Sequence, residues 1–280
     1  MDFPIPFAKM SGTGNDFIII DNRDKIVADN EMVNLAVQAC RRRQSVGADG
    51  LLFIENDDEL DFAWRFFNSD GSEAEMCGNA SRCVARLAHM DGIAGPELVF
   101  RTLAGPIKAV VKGSTVMVQL TKPHGLLPEF TLELPSGQVL LAGFVDTGVP
   151  HTVLVLEENT LETVAVDELG REIRFHDRFA PAGTNVNFVQ VTGHRNIRVR
   201  TYERGVEAET LACGTGVVAS AIVTTARGLT SPAVQAQTKG GDILEVYVDS
   251  RNQGSMDVNL EGEASLVYRA QLTEETIRGG

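Results

Sequence analysis

The stretch Ser69–Ala88, SDGSEAEMCGNASRCVARLA, decides how this chain is read. Cys77 stands directly before Gly-Asn, at the mouth of a segment whose Val84, Leu87 and Ala88 fall on one side at helical spacing, with Gly92 as its stop. A second stretch, Glu209–Val223, ETLACGTGVVASAIV, places Cys213 directly before Gly-Thr-Gly and an apolar run. The strand-like runs RFFN and RTYE end nine and ten residues before the respective cysteines. Cys77 and Cys213 lie 136 positions apart in 280 residues, so the chain reads as two similar halves.

Strand-like runs surround both segments. They cover 17–21, 51–55, 62–68, 98–103, 107–112 and 115–120 in the first half. TLEL, GQVLLAGFVDTG, TVLVLE, VNFVQVT, NIRVRTYE, ILEVYVD and SMDVNLEG fill the second. Short alternating runs joined by Gly, Asn, Asp and Pro predict a mostly antiparallel, rolled sheet rather than repeated parallel units. Helices are predicted over 31–43 after an Asn30 cap, 79–91, 161–170 ending at Gly170, and 215–227. The last is apolar or small nearly all round and so buried on every side. LTKPHGLLP, residues 120–128, is the candidate linker. The class is α+β, with two pseudo-symmetric halves each rolled around a central helix.

A helix N-terminus carries unpaired N–H groups and partial positive charge, so a cysteine there has its thiolate favoured. The dipole contributes roughly 0.3–1 kcal/mol when exposed and up to ~2 when partly buried, a shift of roughly one pKa unit. Glycine after each cysteine lets a carboxylate approach the same amides. A carboxylate so held leaves its α-carbon beside sulfur. One thiolate can then remove the α-proton while a second thiol returns a proton to the opposite face, without a cofactor. Cys40 and Cys83 read as small apolar core residues, and Cys83 falls inside its helix where no free amide is present.

Other chemistries fit poorly. There is no Cys-x-x-Cys, and the Cys77/Cys83 spacing lacks the matching pair a zinc site needs. GTGVVA (214–219) matches a dinucleotide pattern, but no strand leads directly into it and no acidic residue follows near 20 positions on. Net charge is −13 with scattered cations, which argues against nucleic acid or an anionic membrane as partner. Met1–Gly14 shows no basic, apolar-cored leader, and Leu211–Ala226 is too short and polar for a membrane span. Four cysteines in a chain of this size do not make a disulfide scaffold, so a cytoplasmic location with reduced thiols is expected.

The blocks GTGNDFIIID, FFNSDGSEAEMCGNASRCVARL, GTNVNFVQV and YERGVEAETLACGTGVVAS, spread from residue 12 to 220, resemble the signature of diaminopimelate epimerases. The resemblance implies interconversion of L,L- and meso-2,6-diaminopimelate in lysine and peptidoglycan synthesis, with no cofactor and no metal. It implies Cys77 and Cys213 as the catalytic thiols. Gly78, Asn79, Gly214 and Thr215 are implied as carboxylate-holding helix ends, and Asn15, Asn68, Asn185, Glu203 and Arg204 as substrate-binding. His151 would assist the thiols. Halves of 1–122 and 123–270 are expected, with a strand at 271–280 returning to the first and the active site in the cleft between them. The expected partner is the small-molecule substrate, with a homodimer as the one assembly considered.

This chain departs from the family pattern in three places. It has Gly-Val-Pro-His at 148–151 where many members have Gly-Asn-Pro-His, so Val149 lacks the side-chain amide. Gly50 stands where some members have glutamine, and ERGVEAET is one residue longer than a common form. Proline and hydroxyproline epimerases are the nearest rival, but their first motif reads Met-Cys-Gly-His where this chain has Asn79.

Overall fold

The computed structural model describes residues 1–250 and 256–278. It divides into two compact units, one running from Met1 to Val118 and resuming at Gly262, the other spanning Gln119–Glu261.

The first unit contains β1 (Ile5–Gly12), β2 (Asn15–Asp21), α1 (Asp29–Ala39), β3 (Gly50–Glu55), β4 (Phe62–Asn68), α2 (Gly78–Met90), β5 (Glu97–Thr102), β6 (Gly105–Lys112) and β7 (Thr115–Gln119). The second contains β8 (His124–Glu133), β9 (Val139–Asp146), β10 (Pro150–Val155), α3 (Val166–Arg174), β11 (Asn185–Gly193), β12 (Asn196–Glu203), β13 (Ala208–Thr210), α4 (Gly214–Ala226), β14 (Ala233–Gln237), β15 (Ile243–Asp249) and β16 (Asp257–Glu263). The chain then returns to the first unit as β17 (Ser265–Leu272) and α5 (Glu274–Arg278). The return therefore starts before residue 271, and the segment expected as a strand there is the end of β17 followed by a helix. Residues 279 and 280 lie outside the described residues, as does Ser255 of the SMDVNLEG run.

Strand pairing is the same in both units. In the first, β17–β1–β2–β3–β4–β5–β6–β7 pair antiparallel except for parallel β2–β3 and β4–β5. In the second, β8–β9–β10–β11–β12–β14–β15–β16 repeat that order, with β10–β11 and β12–β14 parallel. Parallel neighbours require a crossover, and α1, α2, α3 and α4 are those crossovers. The register makes the equivalence residue-specific. Phe17 faces Gly50, which faces Asn68, just as His151 faces Asn185. Since Val186 faces Tyr202, Glu203 holds the place of Asn68.

Packing explains where the helices sit. Ile18, Ile20, Leu51 and Phe53 join Met32, Leu35 and Ala36 of α1 in one core. Alternate residues on the opposite face, such as Phe17 and Phe66 with rings 5.9 Å apart, lie on the other side of the same strands. α4 is rich in Val, Ile and Thr, which costs under about 0.7 kcal/mol per residue in helix propensity. Val217, Val218, Ile222 and Val223 are fully buried, worth roughly 1.5–3 kcal/mol each, so tertiary burial decides the conformation. Gly143 of β9 allows a close approach, because a Cβ there would lie 2.5 Å from Val223 Cγ1.

Candidate active site

Cys77 and Cys213 occupy equivalent positions as N-caps, both with extended backbone (φ −149°, ψ 122° and φ −130°, ψ 106°). Each carbonyl accepts the first helical bond, from Ser81 N at 2.8 Å and Val217 N at 2.9 Å. The amides that follow, from Gly78-Asn79 and Gly214-Thr215, are therefore the orphan donors of two helix starts. Neither cysteine side chain caps its helix with a full hydrogen bond.

Around Cys77 the polar groups form a directed chain. Arg82, one turn into α2 and fully buried, donates to Asn79 Oδ1 (2.7 Å) and Thr13 Oγ1 (2.7 Å). Asn79 Nδ2 donates to Asn15 Oδ1 (2.7 Å), and Asn15 Nδ2 donates to Asp49 Oδ2 (3.0 Å). Arg42 then binds Asp49 at 2.8 Å and Asp16 at 2.5 Å. A charged donor at one end and a carboxylate at the other leave both amides a single orientation. Burial raises the Asp16 carboxyl, but hydrogen bonds from Arg42 and Lys9 outweigh it and hold it at about 2. Asn68 stands apart from this chain at the end of β4, its Nδ2 donating to Ser72 Oγ at 3.0 Å. Gly50 faces it, and a side chain at Gly50 is excluded because a Cβ would lie 2.5 Å from the Phe66 ring and 2.8 Å from Phe67 O.

Around Cys213 the chemistry differs. Cys213 is 9% exposed, whereas Cys77 is half-buried. Burial and then the Glu203 carboxylate push the Cys213 thiol up to about 12, against weaker stabilisation by Thr215 and the Gly216 amide. The dipole-lowered thiolate expected from the sequence is thus overturned here, because desolvation exceeds the roughly one unit a helix end supplies. Glu203 is itself raised by burial, offset by hydrogen bonds with Thr210 and Cys213. Thr210 Oγ1 donates to it at 2.5 Å, and Thr215 Oγ1 lies 3.5 Å from Cys213 Sγ. Asn185 Oδ1 accepts from the Arg204 backbone N–H at 2.9 Å, while Arg204 itself donates to Ala182 O. Cys40 and Cys83, only 3% and 0% exposed, have thiols pushed up to about 12 by burial, as core cysteines should.

His151 is fully buried, and burial followed by the Arg204 charge lowers it to about 3, so it is neutral at working pH. Its ring contacts Asn187 Nδ2 at 3.1 Å through Nδ1. Sequence reading missed Arg82, Asp49, Asn187 and Thr210. Asn187 carried a signal, since it lies two residues after Asn185 on the same strand face.

The fold recurs in solved structures. A PhzF-family phenazine biosynthesis protein from Bacillus anthracis matches with TM-score 0.68 at 14% identity, over 97% of this chain and 100% of that one. A probable proline racemase from Agrobacterium radiobacter matches with TM-score 0.69 at 15% identity, over 96% and 93%. Sequence relatives are closer. A diaminopimelate epimerase from Aquifex aeolicus is 46% identical over 97% of this chain and 99% of its own length. One from Archaeoglobus fulgidus is 42% identical over 85% and 87%. The sequence model of the diaminopimelate epimerase family matches residues 7–125 and 143–267, taking in both cysteine-capped helices. On that match across both units, this chain belongs to the diaminopimelate epimerase family.

Proposed function

We propose that the chain interconverts L,L- and meso-2,6-diaminopimelate by a two-thiol exchange of the α-proton. The observation that carries this is the pair of equivalent N-caps, Cys77 and Cys213, each followed by open backbone amides. The substrate carboxylate accepts from the amides of Gly78, Asn79, Gly214 and Thr215, which stabilise the charge that builds as the α-proton leaves. One sulfur, as thiolate, takes that proton; the other, as thiol, delivers its own to the opposite face. The net change is inverted configuration and an exchange of roles between the sulfurs. Either sulfur starts as the base according to the isomer bound, since the two directions of the reaction use them in opposite roles; in the free chain burial and the Glu203 carboxylate raise the Cys213 thiol. Asn15, Asn68, Asn185, Glu203 and Arg204 orient the substrate, and His151 assists as a neutral hydrogen-bond donor. No helix among the described residues is long and apolar enough to cross a membrane, and we place the reaction in the cytoplasm, where thiols stay reduced.

Incubation with L,L-diaminopimelate in deuterated water tests this. The meso isomer should appear with deuterium at the α-position, and Cys77→Ala and Cys213→Ala should each lower turnover by at least about 10²–10⁴-fold. Absence of both product and exchange, or near-full activity in either variant, refutes the two-thiol reading.

A further inference from the structure

The two units share one strand lattice but fill three of its positions differently. Where the first unit places Phe17, Leu52 and Phe66 on β2, β3 and β4, the second places His151, Asn187 and Thr201 on β10, β11 and β12. The apolar set is ordinary core, exposed by no more than 4%. The polar set is equally buried, at 0%, 0% and 4%. A buried polar atom left without a partner costs stability where the same fold holds with apolar side chains, and His151 Nε2 is such an atom, so the polar set calls for a use.

The hydrogen bonds of this set run in one direction. Thr201 Oγ1 donates to Asn187 Oδ1 at 3.0 Å. Asn187 Nδ2 then donates to Thr152 O at 3.1 Å and to His151 Nδ1 at 3.1 Å. Flipping the amide would set its oxygen against the Thr152 carbonyl, so the orientation is unique. Nδ1 of His151 must accept, and a neutral imidazole that accepts at Nδ1 carries its proton on Nε2. That Nε2 is buried and has no hydrogen-bond partner among the described residues. The Cys213 helix closes over the same amide. A Cβ on Gly216 would lie 2.2 Å from Asn187 Oδ1 and 3.2 Å from Thr201 Oγ1, so only glycine lets the first turn of α4 rest there.

We propose that Asn187 is a positioning residue of the reaction, holding His151 in the Nε2–H tautomer so that the ring presents a hydrogen-bond donor and not a base. An aspartate in the same place would hold the proton on Nδ1 and turn Nε2 into a base, as in acyl-transfer triads. The role in turnover rests on the epimerase reading above, whereas the tautomer does not.

The test uses the full-length protein with ¹⁵N-labelled histidine. Long-range ¹⁵N–¹H spectra of the wild type should show one ring as the neutral Nε2–H form across pH 6–9, assigned by its loss in His151→Gln. Asn187→Asp should move that proton to Nδ1 and lower kcat by roughly 10- to 100-fold, the size of one hydrogen bond to a charged group, with KM little changed. Asn187→Leu, which copies the residue of the first unit, should leave circular dichroism unchanged and lower kcat similarly. A wild-type His151 protonated on Nδ1 overturns the proposal whether or not any variant folds. So does a kcat within twofold of wild type in either folded variant. Failure of the wild type to epimerise diaminopimelate would instead remove the epimerase reading and leave the tautomer result standing.

Discussion

Exposure of the free enzyme to iodoacetamide at pH 8 should modify Cys77 and spare the other three cysteines. Cys213, Cys40 and Cys83 all have thiols pushed up to about 12, by burial first in each case. At pH 8 such a thiol is ionised to about 1 part in 10⁴, against roughly a quarter for an ordinary thiol near 8.5. A more basic thiolate is a better nucleophile, and a Brønsted slope of about 0.45 returns roughly 30- to 40-fold of that deficit. The remainder is a rate about 60-fold lower from ionisation alone, to which steric shielding adds. Glu203→Gln tests the second cause. A charge about 4 Å away is worth about 1 kcal/mol in water and about 4 kcal/mol at an effective dielectric of 20, so its loss should speed Cys213 labelling roughly 2- to 40-fold. Peptide mass spectrometry against time gives each rate separately. Labelling of Cys213 in the wild type within tenfold of Cys77 would refute the claim that burial outweighs the helix end. A Glu203→Gln rate equal to wild type would remove the carboxylate from that balance.

Acid stability should depend on Asp16. Its folded carboxyl sits at about 2 against 3.8 unfolded, so its stabilisation is present above pH 4 and is lost as pH falls through 2. Asp16→Asn should therefore lower the urea midpoint at pH 7 but make stability flatter between pH 4 and 2; parallel curves for the two proteins would count against it. Arg82→Met should leave Asn79 Oδ1 and Thr13 Oγ1 without their buried donor, costing about 1–3 kcal/mol in urea unfolding. The same change should raise KM, because Asn79 and Asn15 lose the end that orients them. An unchanged KM in a folded Arg82→Met would detach the chain of amides from substrate binding.

Much of this was legible where local chemistry decides it, and less where distant chain segments do. The helix mouths at Cys77 and Cys213 follow from small residues and apolar spacing, and the structure starts α2 and α4 at Gly78 and Gly214. α1 is capped at Ala28 and not at Asn30, because the Glu31 carboxylate reaches back to the Ala28 amide at 3.4 Å. α3 covers Val166–Arg174 and passes through Gly170. That glycine is no stop signal: a Cβ there would lie 2.6 Å from Tyr202 Cβ, so it exists for close helix–strand packing. The linker expected over 120–128 is partly β8, whose pairing with β9 absorbs Gly125 and Pro128 in two register shifts. β1 was hidden by Pro4 and Pro6, yet Pro6 pairs only with β17, before β2 begins its ladder at Ala8. β17 shows little alternation, and no local pattern announces a partner at the far end of the chain. Mostly antiparallel pairing was correct, while the parallel pairs were invisible because each is set by the helix that crosses between its strands.

The place of β17 has a consequence for synthesis. In the second unit the strand equivalent to it, β8, comes first in the chain; in the first unit it comes last, pairing Ile5 with Leu272. A ribosome delivers residues 119–261 complete before β17 emerges, so the second unit can close its strand order while the first still lacks an outer strand. The half that is translated first is finished second. Until then the edge of β1 is open beside the strand that feeds Asn15 to Cys77's helix, and the newborn chain carries one completed thiol half and one waiting for its last strand.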